Sequence, residues 1–120
     1  MGFKDLFKKK DPRYTSLLAF IAVAVADGKF TESEKRMVEL LAERIGLSKK
    51  DVEFCLLHPD RIKPNVPKTQ EDKIQCISGM VAVMIADGEA DPKEIELVKA
   101  MANAYGIDSS VVDIFIQKNN

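Results

Sequence analysis

The chain has 120 residues, 46% of them hydrophobic and 31% charged, which is the composition of one soluble globular domain. Its formal net charge of −1 argues against a nucleic-acid-binding protein that works through a broad basic face. Cys55 and Cys76 are far apart and His58 is the single histidine, so we expect buried thiols and no zinc site. Met1–Lys10 lacks the apolar stretch of a signal peptide, and the uncharged segments are shorter than the ~20 residues of a spanning helix. The expected location is the cytoplasm.

Residues 1–13 form a basic, amphipathic segment that we expect to be separate from a single domain at residues 14–120. Phe3, Leu6 and Phe7 fall on one side of a helical turn, and the cations Lys8–Lys10 follow them. One interpretation is a short helix that folds onto the domain. The other is a peripheral contact with a partner protein or with the inner face of the membrane. The sequence leaves both open.

The first predicted helices follow this segment in chain order. Thr15–Ala26 carries no charge, so it is predicted to be a buried central helix. Thr31-Glu-Ser-Glu34 has the form of a capping box and predicts a helix over Glu32–Ile45. A short helix is predicted from the cap at Ser48 to about Leu57. The connector that follows, His58–Pro67, contains three prolines and is not expected to be a helix.

The second half of the chain repeats this order, with predicted helices at Gln70–Ala86, Pro92–Tyr105 and about 109–117. The halves align at an offset of 60 without a gap, and ten positions between residues 17–52 and 77–112 are identical. We interpret this as an internal duplication, with repeats at about 14–57 and 69–117. The predicted fold is all-α, with duplicated helix-turn-helix units forming a four-helix core and short additional helices.

Each repeat contains the sequence Ala-Asp-Gly-x5-Glu, which supplies the candidate site residues Asp27, Glu34, Asp87 and Glu94. The spacing matches the second part of an EF-hand calcium loop. However, the first two ligand positions of such a loop would be occupied by Val23 and Val25, and valine cannot bind calcium. We therefore do not expect an EF-hand.

Two interpretations of the four carboxylates remain open. In the first, Asp27 and Asp87 end helices, while Glu34 and Glu94 occupy capping boxes, and no ligand is involved. In the second, the carboxylates share the core-facing stripes of their helices and converge if the repeats pack with the same ends adjacent. Converging carboxylates would need a hard divalent cation such as Mg²⁺, Mn²⁺ or Ca²⁺. The direction in which the repeats pack decides between them.

The uncharged helix, the Ala-Asp-Gly-x5-Glu spacing and the closing Leu-x-Glu-Arg-Ile-Gly-Leu resemble the TerB-like family, which is associated with tellurite resistance. The resemblance covers roughly residues 14–117. It implies an all-helical, metal-associated module of bacterial chemical-stress responses, with protein partners that are often near membranes. It also implies that Asp27, Glu34, Asp87 and Glu94 are the acidic positions of the family.

An enzymatic function is not expected. The sequence has no Ser/His/Asp set, and His58 lies in the proline-rich connector without an evident nucleophile. Gly28 and Gly88 are predicted to end helices, and no glycine-rich phosphate loop is present. The predicted function is metal binding in a stress response; the alternative is a helical protein–protein interaction scaffold in which the carboxylates only cap helices.

Overall fold

The computed structural model describes residues 11–26, 28–62, 65–86, 88 and 90–118. These residues form six α-helices and one 3₁₀ turn, and no β-strand occurs among them. The helices are α1 (Pro12–Val25), α2 (Glu32–Arg44), α3 (Lys49–Leu57), α4 (Gln70–Met84), α5 (Pro92–Ala104) and α6 (Ser110–Lys118), and the 3₁₀ turn is Pro59–Arg61. The prediction of an all-α fold built from two helical units is confirmed. No described helix is both long and apolar enough to cross a bilayer.

Polar side chains at the N-termini explain where the helices begin. At the start of α3 the Ser48 hydroxyl accepts the amide of Asp51 at 3.3 Å, and the Asp51 carboxylate accepts the amide of Ser48 at 2.7 Å. Helix α1 begins three residues earlier than predicted. Its cap is Asp11, whose carboxylate accepts the amide of Arg13 at 2.9 Å, and Pro12 occupies the first helical position, where its missing amide hydrogen costs nothing.

Helices α1 and α4 form the centre of the bundle. Helix α1 packs against α2, α3, α4 and α5, and α4 packs against α1, α2, α5 and α6. Burial of apolar surface is the main favourable term in folding, which explains why the least charged segments lie in the middle. The buried side chains of these two helices include Leu17, Phe20, Ile21, Val23 and Ala24 from α1, and Ile77, Met80, Val81, Val83 and Met84 from α4.

The helix contacts of the first repeat recur in the second. Helix α1 packs against α2 and α3 as α4 packs against α5 and α6. Helix α2 also lies against α4, as α5 lies against α1. Exchanging the two repeats therefore preserves the pattern of contacts, so the bundle has an approximate twofold relationship about the α1–α4 pair.

Helices α1 and α4 run side by side in the same direction. Ser16 lies beside Cys76, and the ring of Phe20 lies against Gly79, about one turn further along both helices. Antiparallel helices that met at Phe20 and Gly79 would separate Ser16 from Cys76 by several residues' rise. The two repeats thus pack with the same ends adjacent.

This arrangement gives the bundle two distinct ends. At one end, which we call the connector end, Thr15 accepts the amide of Asn65 at 2.9 Å, so the start of α1 lies next to the chain that leads into α4. Arg13 donates to the carbonyl of Ile45 at 3.1 Å, which places the end of α2 there as well. Tyr105, at the end of α5, lies beside α4 near the same end. The α1–α2 and α4–α5 loops therefore share the opposite end, which we call the loop end.

Candidate metal centre

The two loops that contain Ala-Asp-Gly make the same backbone turn. Gly28 and Gly88 have φ angles of +84° and +88°, a left-handed conformation that glycine adopts without steric cost. Each glycine donates its amide to the carbonyl three residues earlier, Gly28 to Val25 at 3.0 Å and Gly88 to Ile85 at 2.9 Å. The repeated sequence therefore produces a repeated structure at the loop end.

The structure bears out the argument against an EF-hand. Val23 and Val83, which would occupy the first ligand position of the two calcium loops, lie in α1 and α4 and have no exposed surface. Helix α1 continues to Val25, the next ligand position of the first loop. These segments contribute to the core, so they cannot also supply an unwound loop of oxygen ligands.

Glu34 and Glu94 are the buried charged side chains among the described residues, and each is 1% exposed. They occupy the third position of α2 and α5, respectively, at the loop end of the bundle. The predicted orientation of both side chains towards the core is thereby confirmed. An ionised carboxylate at such a depth costs several kcal/mol unless hydrogen bonds or a cation compensate for its lost hydration.

The two oxygens of the Glu34 carboxylate have different surroundings. Oε1 accepts two hydrogen bonds from Thr31, one from the amide at 2.9 Å and one from the hydroxyl at 3.0 Å. The Thr31 hydroxyl in turn accepts the amide of Glu34 at 3.1 Å, so the predicted capping box is present. Oε2 is buried as well, and none of the described residues donates a hydrogen bond to it. Helix capping therefore explains one oxygen of this carboxylate and leaves the other without a donor in this part of the chain.

The start of α5 is built differently from the start of α2. The predicted cap at Asp91 is confirmed, and Pro92 occupies the first helical position. The Asp91 carboxylate accepts the amide of Lys93, the second helical residue, at 2.8 Å. Thr31 instead caps the third helical residue. The two buried glutamates thus have equivalent positions in the fold but unequal cap chemistry around them.

Asp27 and Asp87, the other two predicted ligands, lie outside the described residues. Their chain neighbours on both sides belong to the two loops at the loop end, which is where Glu34 and Glu94 enter the core. Within the described ranges, no three His, Cys, Asp or Glu side chains are grouped so that they could hold a metal ion. Those ranges contain only two of the four predicted ligands. The structure therefore brings the two motifs to one end of the bundle and describes half of the proposed ligand set.

Comparison with known protein families agrees with this architecture. The family model described as Tellurite resistance protein TerB matches residues 2–56 and 60–114, one segment in each half of the chain. The chain belongs to the TerB family. The match confirms the resemblance drawn from the repeated Ala-Asp-Gly-x5-Glu sequence. No curated protein and no solved structure is significantly similar to this TerB-family chain.

Sequence reasoning located Glu34 but missed the unequal roles of its two oxygens. The signal was present in the sequence, because a capping box uses a single carboxylate oxygen of its glutamate. A glutamate that serves in a capping box and also lies on the apolar stripe of Val38 must bury its second oxygen. Neither pattern alone predicts this consequence.

Proposed function

We propose that this TerB-family protein is a non-enzymatic module that binds a divalent cation at the loop end, through Asp27, Glu34, Asp87 and Glu94. The family is named for tellurite resistance, and we propose that the module acts in a bacterial response to tellurite or related chemical stress. Within such a response the bound cation would hold the two repeats in register and create a surface for protein partners in the cytoplasm.

One observation carries the metal proposal: the Glu34 Oε2 atom is buried and receives no hydrogen bond from the described residues. A cation bound to this oxygen would compensate for the hydration that the carboxylate loses on burial. The parallel packing of α1 and α4 adds support, because it brings both copies of the motif to the same end of the bundle. Carboxylate oxygens are the ligands that Mg²⁺, Mn²⁺ and Ca²⁺ prefer.

The proposal is tested by thermal unfolding with and without added cation. The protein is first treated with a chelator, and the melting temperature is then measured after addition of Mg²⁺, Mn²⁺ or Ca²⁺ separately. A cation that binds only the folded state stabilises it by about 2.7 kcal/mol at a concentration of 100 times its dissociation constant. At least one of the three cations should therefore raise the melting temperature.

A pair of double variants makes the test specific. Asp27→Asn combined with Asp87→Asn should abolish the cation-dependent rise. The matched control is Asp60→Asn combined with Glu71→Gln, which removes two exposed carboxylates away from the loop end and should leave the rise intact. If the chelated protein shows no rise with any of the three cations, or if both double variants respond alike, metal binding at this site is refuted.

The second candidate function is an interaction scaffold in which the carboxylates only cap helices. The observation that favours it is the complete capping box between Thr31 and Glu34. Two apolar side chains also lie exposed beside the first loop, Val25 at 43% and Phe30 at 36%, where a protein partner could cover them. Under this function added cations would leave the melting temperature unchanged, and substitution of Phe30 by Ser would weaken capture of a partner.

A further inference from the structure

A groove of about 740 Å³ opens between α1, α2 and α4 and begins at the connector end of the bundle. Its floor is apolar and includes Phe20 and Gly79, and its wall on α4 includes Gln75 and Ser78. Its charged lining residues are Asp72, in the first turn of α4, and Arg13 and Arg44, which together give the lining a net charge of +1. The groove is thus an apolar surface with a polar rim. Its first lining residue along the chain is Pro12, the first residue of α1.

The groove is not a requirement of the duplicated fold, because it lies where the two repeats differ. At an offset of 60, the counterparts of Ser78 and Gly79 are Leu18 and Ala19, both of them larger. Another lining residue, Ile45, has Tyr105 as its counterpart, which is larger again. These three lining residues are smaller than their counterparts, whereas Phe20 and Arg44 are larger than Met80 and Ala104, so the open space lies over Ser78 and Gly79 of α4.

We propose that the occupant of this groove is the segment Phe3–Phe7 of the same chain, docked within one molecule. The approximate twofold relationship indicates where this segment should run. In the second repeat, Asn65 lies four residues before the cap Thr69, and its amide bonds Thr15. At the same offset of 60, the counterpart of Asn65 in the first repeat is Asp5, the middle residue of Phe3–Phe7.

The same operation identifies the surface that Asp5 meets. The counterpart of Thr15 is Gln75, which forms part of the groove wall. The connector also shows that a segment leading into a central helix covers apolar surface, since Ile62 is 4% exposed and Pro67 is buried against the groove. Exchanging the repeats therefore places Asp5, the middle residue of the segment, against Gln75.

Reach and composition agree with this occupant. Phe7 is five positions before Pro12, which lines the groove, and this part of the chain spans at most about 17 Å when extended. The segment supplies three large apolar side chains, Phe3, Leu6 and Phe7, for the apolar floor. The TerB family match begins at residue 2, so this segment belongs to the matched region. The groove begins at the connector end, so its occupancy can be tested independently of the metal site.

The decisive experiment is disulfide trapping in the full chain, with Cys76→Ala as background to remove the thiol in the groove. Asp5→Cys is combined either with Gln75→Cys or, as the matched control, with Lys73→Cys. Lys73 lies on the same turn of α4 but does not line the groove. Under mild oxidation in dilute solution, the Gln75 pair should form its intramolecular bond about tenfold faster than the control, because docking raises the local concentration of the two thiols. Equal rates, or a predominance of bonds between two chains, would overturn the proposal.

A second measurement does not depend on cross-linking. The chain contains no tryptophan, so Phe7→Trp introduces a single fluorophore. Its emission should have the short wavelength of a buried indole, and Ser78→Lys in the groove wall should shift it to longer wavelength. Ser33→Lys, an exposed substitution at the loop end, should leave it unchanged. An emission typical of exposed indole that moves only when anionic vesicles are added would assign the segment to a membrane and refute docking.

Discussion

Thr31 donates two hydrogen bonds to Glu34, from its amide at 2.9 Å and from its hydroxyl at 3.0 Å, and both reach the same oxygen, Oε1. The cap of α2 and the proposed cation contact therefore use different atoms of one carboxylate. A substitution at Thr31 can remove the cap and keep the proposed cation contact, and a substitution at Glu34 can do the reverse. The two interpretations of the site can therefore be separated experimentally.

Replacing Thr31 with valine tests the cap. The variant loses the hydroxyl that accepts the Glu34 amide, so the free energy of unfolding should fall by about 0.5–2 kcal/mol. The cation-dependent rise in melting temperature should persist, since Glu34 Oε2 is untouched. Urea unfolding measures the fall in the free energy of unfolding, and thermal unfolding measures the rise in melting temperature. Each is done with and without cation. Loss of the cation response in this variant would show that the cap and the cation contact are one unit.

Glu34→Gln tests the other oxygen. The amide side chain can keep its carbonyl oxygen towards Thr31, while an NH₂ group replaces Oε2 and cannot bind a cation. We expect the rise with cation to disappear and the stability of the chelated protein to be unchanged or higher, because a buried charge has been removed. A retained cation response would exclude Glu34 as a ligand.

Alkaline pH should destabilise the fold. Burial raises the pKa of Cys55 to about 11, and burial together with the hydrogen bond to Asp51 raises the pKa of Tyr14 to about 12. Burial also raises the pKa values of Cys76 and Tyr105. The native state thus holds these protons more tightly than the unfolded state, whose groups titrate near pH 9 for Cys and pH 10 for Tyr.

This stabilisation should be complete below pH 9 and should be lost as the pH rises towards 11–12. Unfolding in urea at several pH values between 8 and 11 measures the slope of the free energy of unfolding against pH. Absorbance at 295 nm follows the ionisation of the two tyrosines. Tyr14→Phe should make the slope shallower above pH 10. A free energy of unfolding that stays constant across this range would contradict the prediction.

Gly79→Ala tests the close approach of α1 and α4. A Cβ atom at this position would lie 2.6 Å from Cε1 of Phe20, well inside contact distance. Alanine is favoured over glycine within a helix by about 1 kcal/mol, but overpacking costs about 1–3 kcal/mol, so we expect net destabilisation. Combining the substitution with Phe20→Leu should restore part of the stability beyond additivity, as a double-mutant cycle in urea would show. Purely additive effects would mean that the Phe20 ring does not determine the cost of a larger side chain at position 79.

Much of the fold was predictable from local sequence patterns, because caps and apolar stripes act within a few residues. The caps at Thr31 and Ser48 were predicted correctly, as was the burial of Glu34. The start of α1 is predicted at Thr15 because the uncharged run begins there, although the preceding Asp11-Pro12 is also a favourable way to begin a helix.

The packing direction of the repeats was not predictable, since an apolar helix presents the same kind of surface to a parallel and to an antiparallel neighbour. The groove was missed for a related reason. Its floor depends on the sizes of Phe20 and Gly79, which are distant in sequence and meet only after α1 and α4 have packed. A position-by-position comparison of the repeats would have given a hint, because Ser78 and Gly79 are smaller than their counterparts Leu18 and Ala19.

The contact between Phe20 and Gly79 also affects which fragments of the chain can associate with each other. If the chain were cut in the connector, each piece would carry one central helix and would need a partner to cover it. Two copies of the first piece would set Ala19 against Phe20, where the 2.6 Å approach leaves no space for a methyl group. Two copies of the second piece would set Gly79 against Met80, a slimmer and more flexible side chain than the phenyl ring. Only two unlike pieces reproduce the native contact, so we expect the two halves to associate with each other in preference to a second copy of themselves.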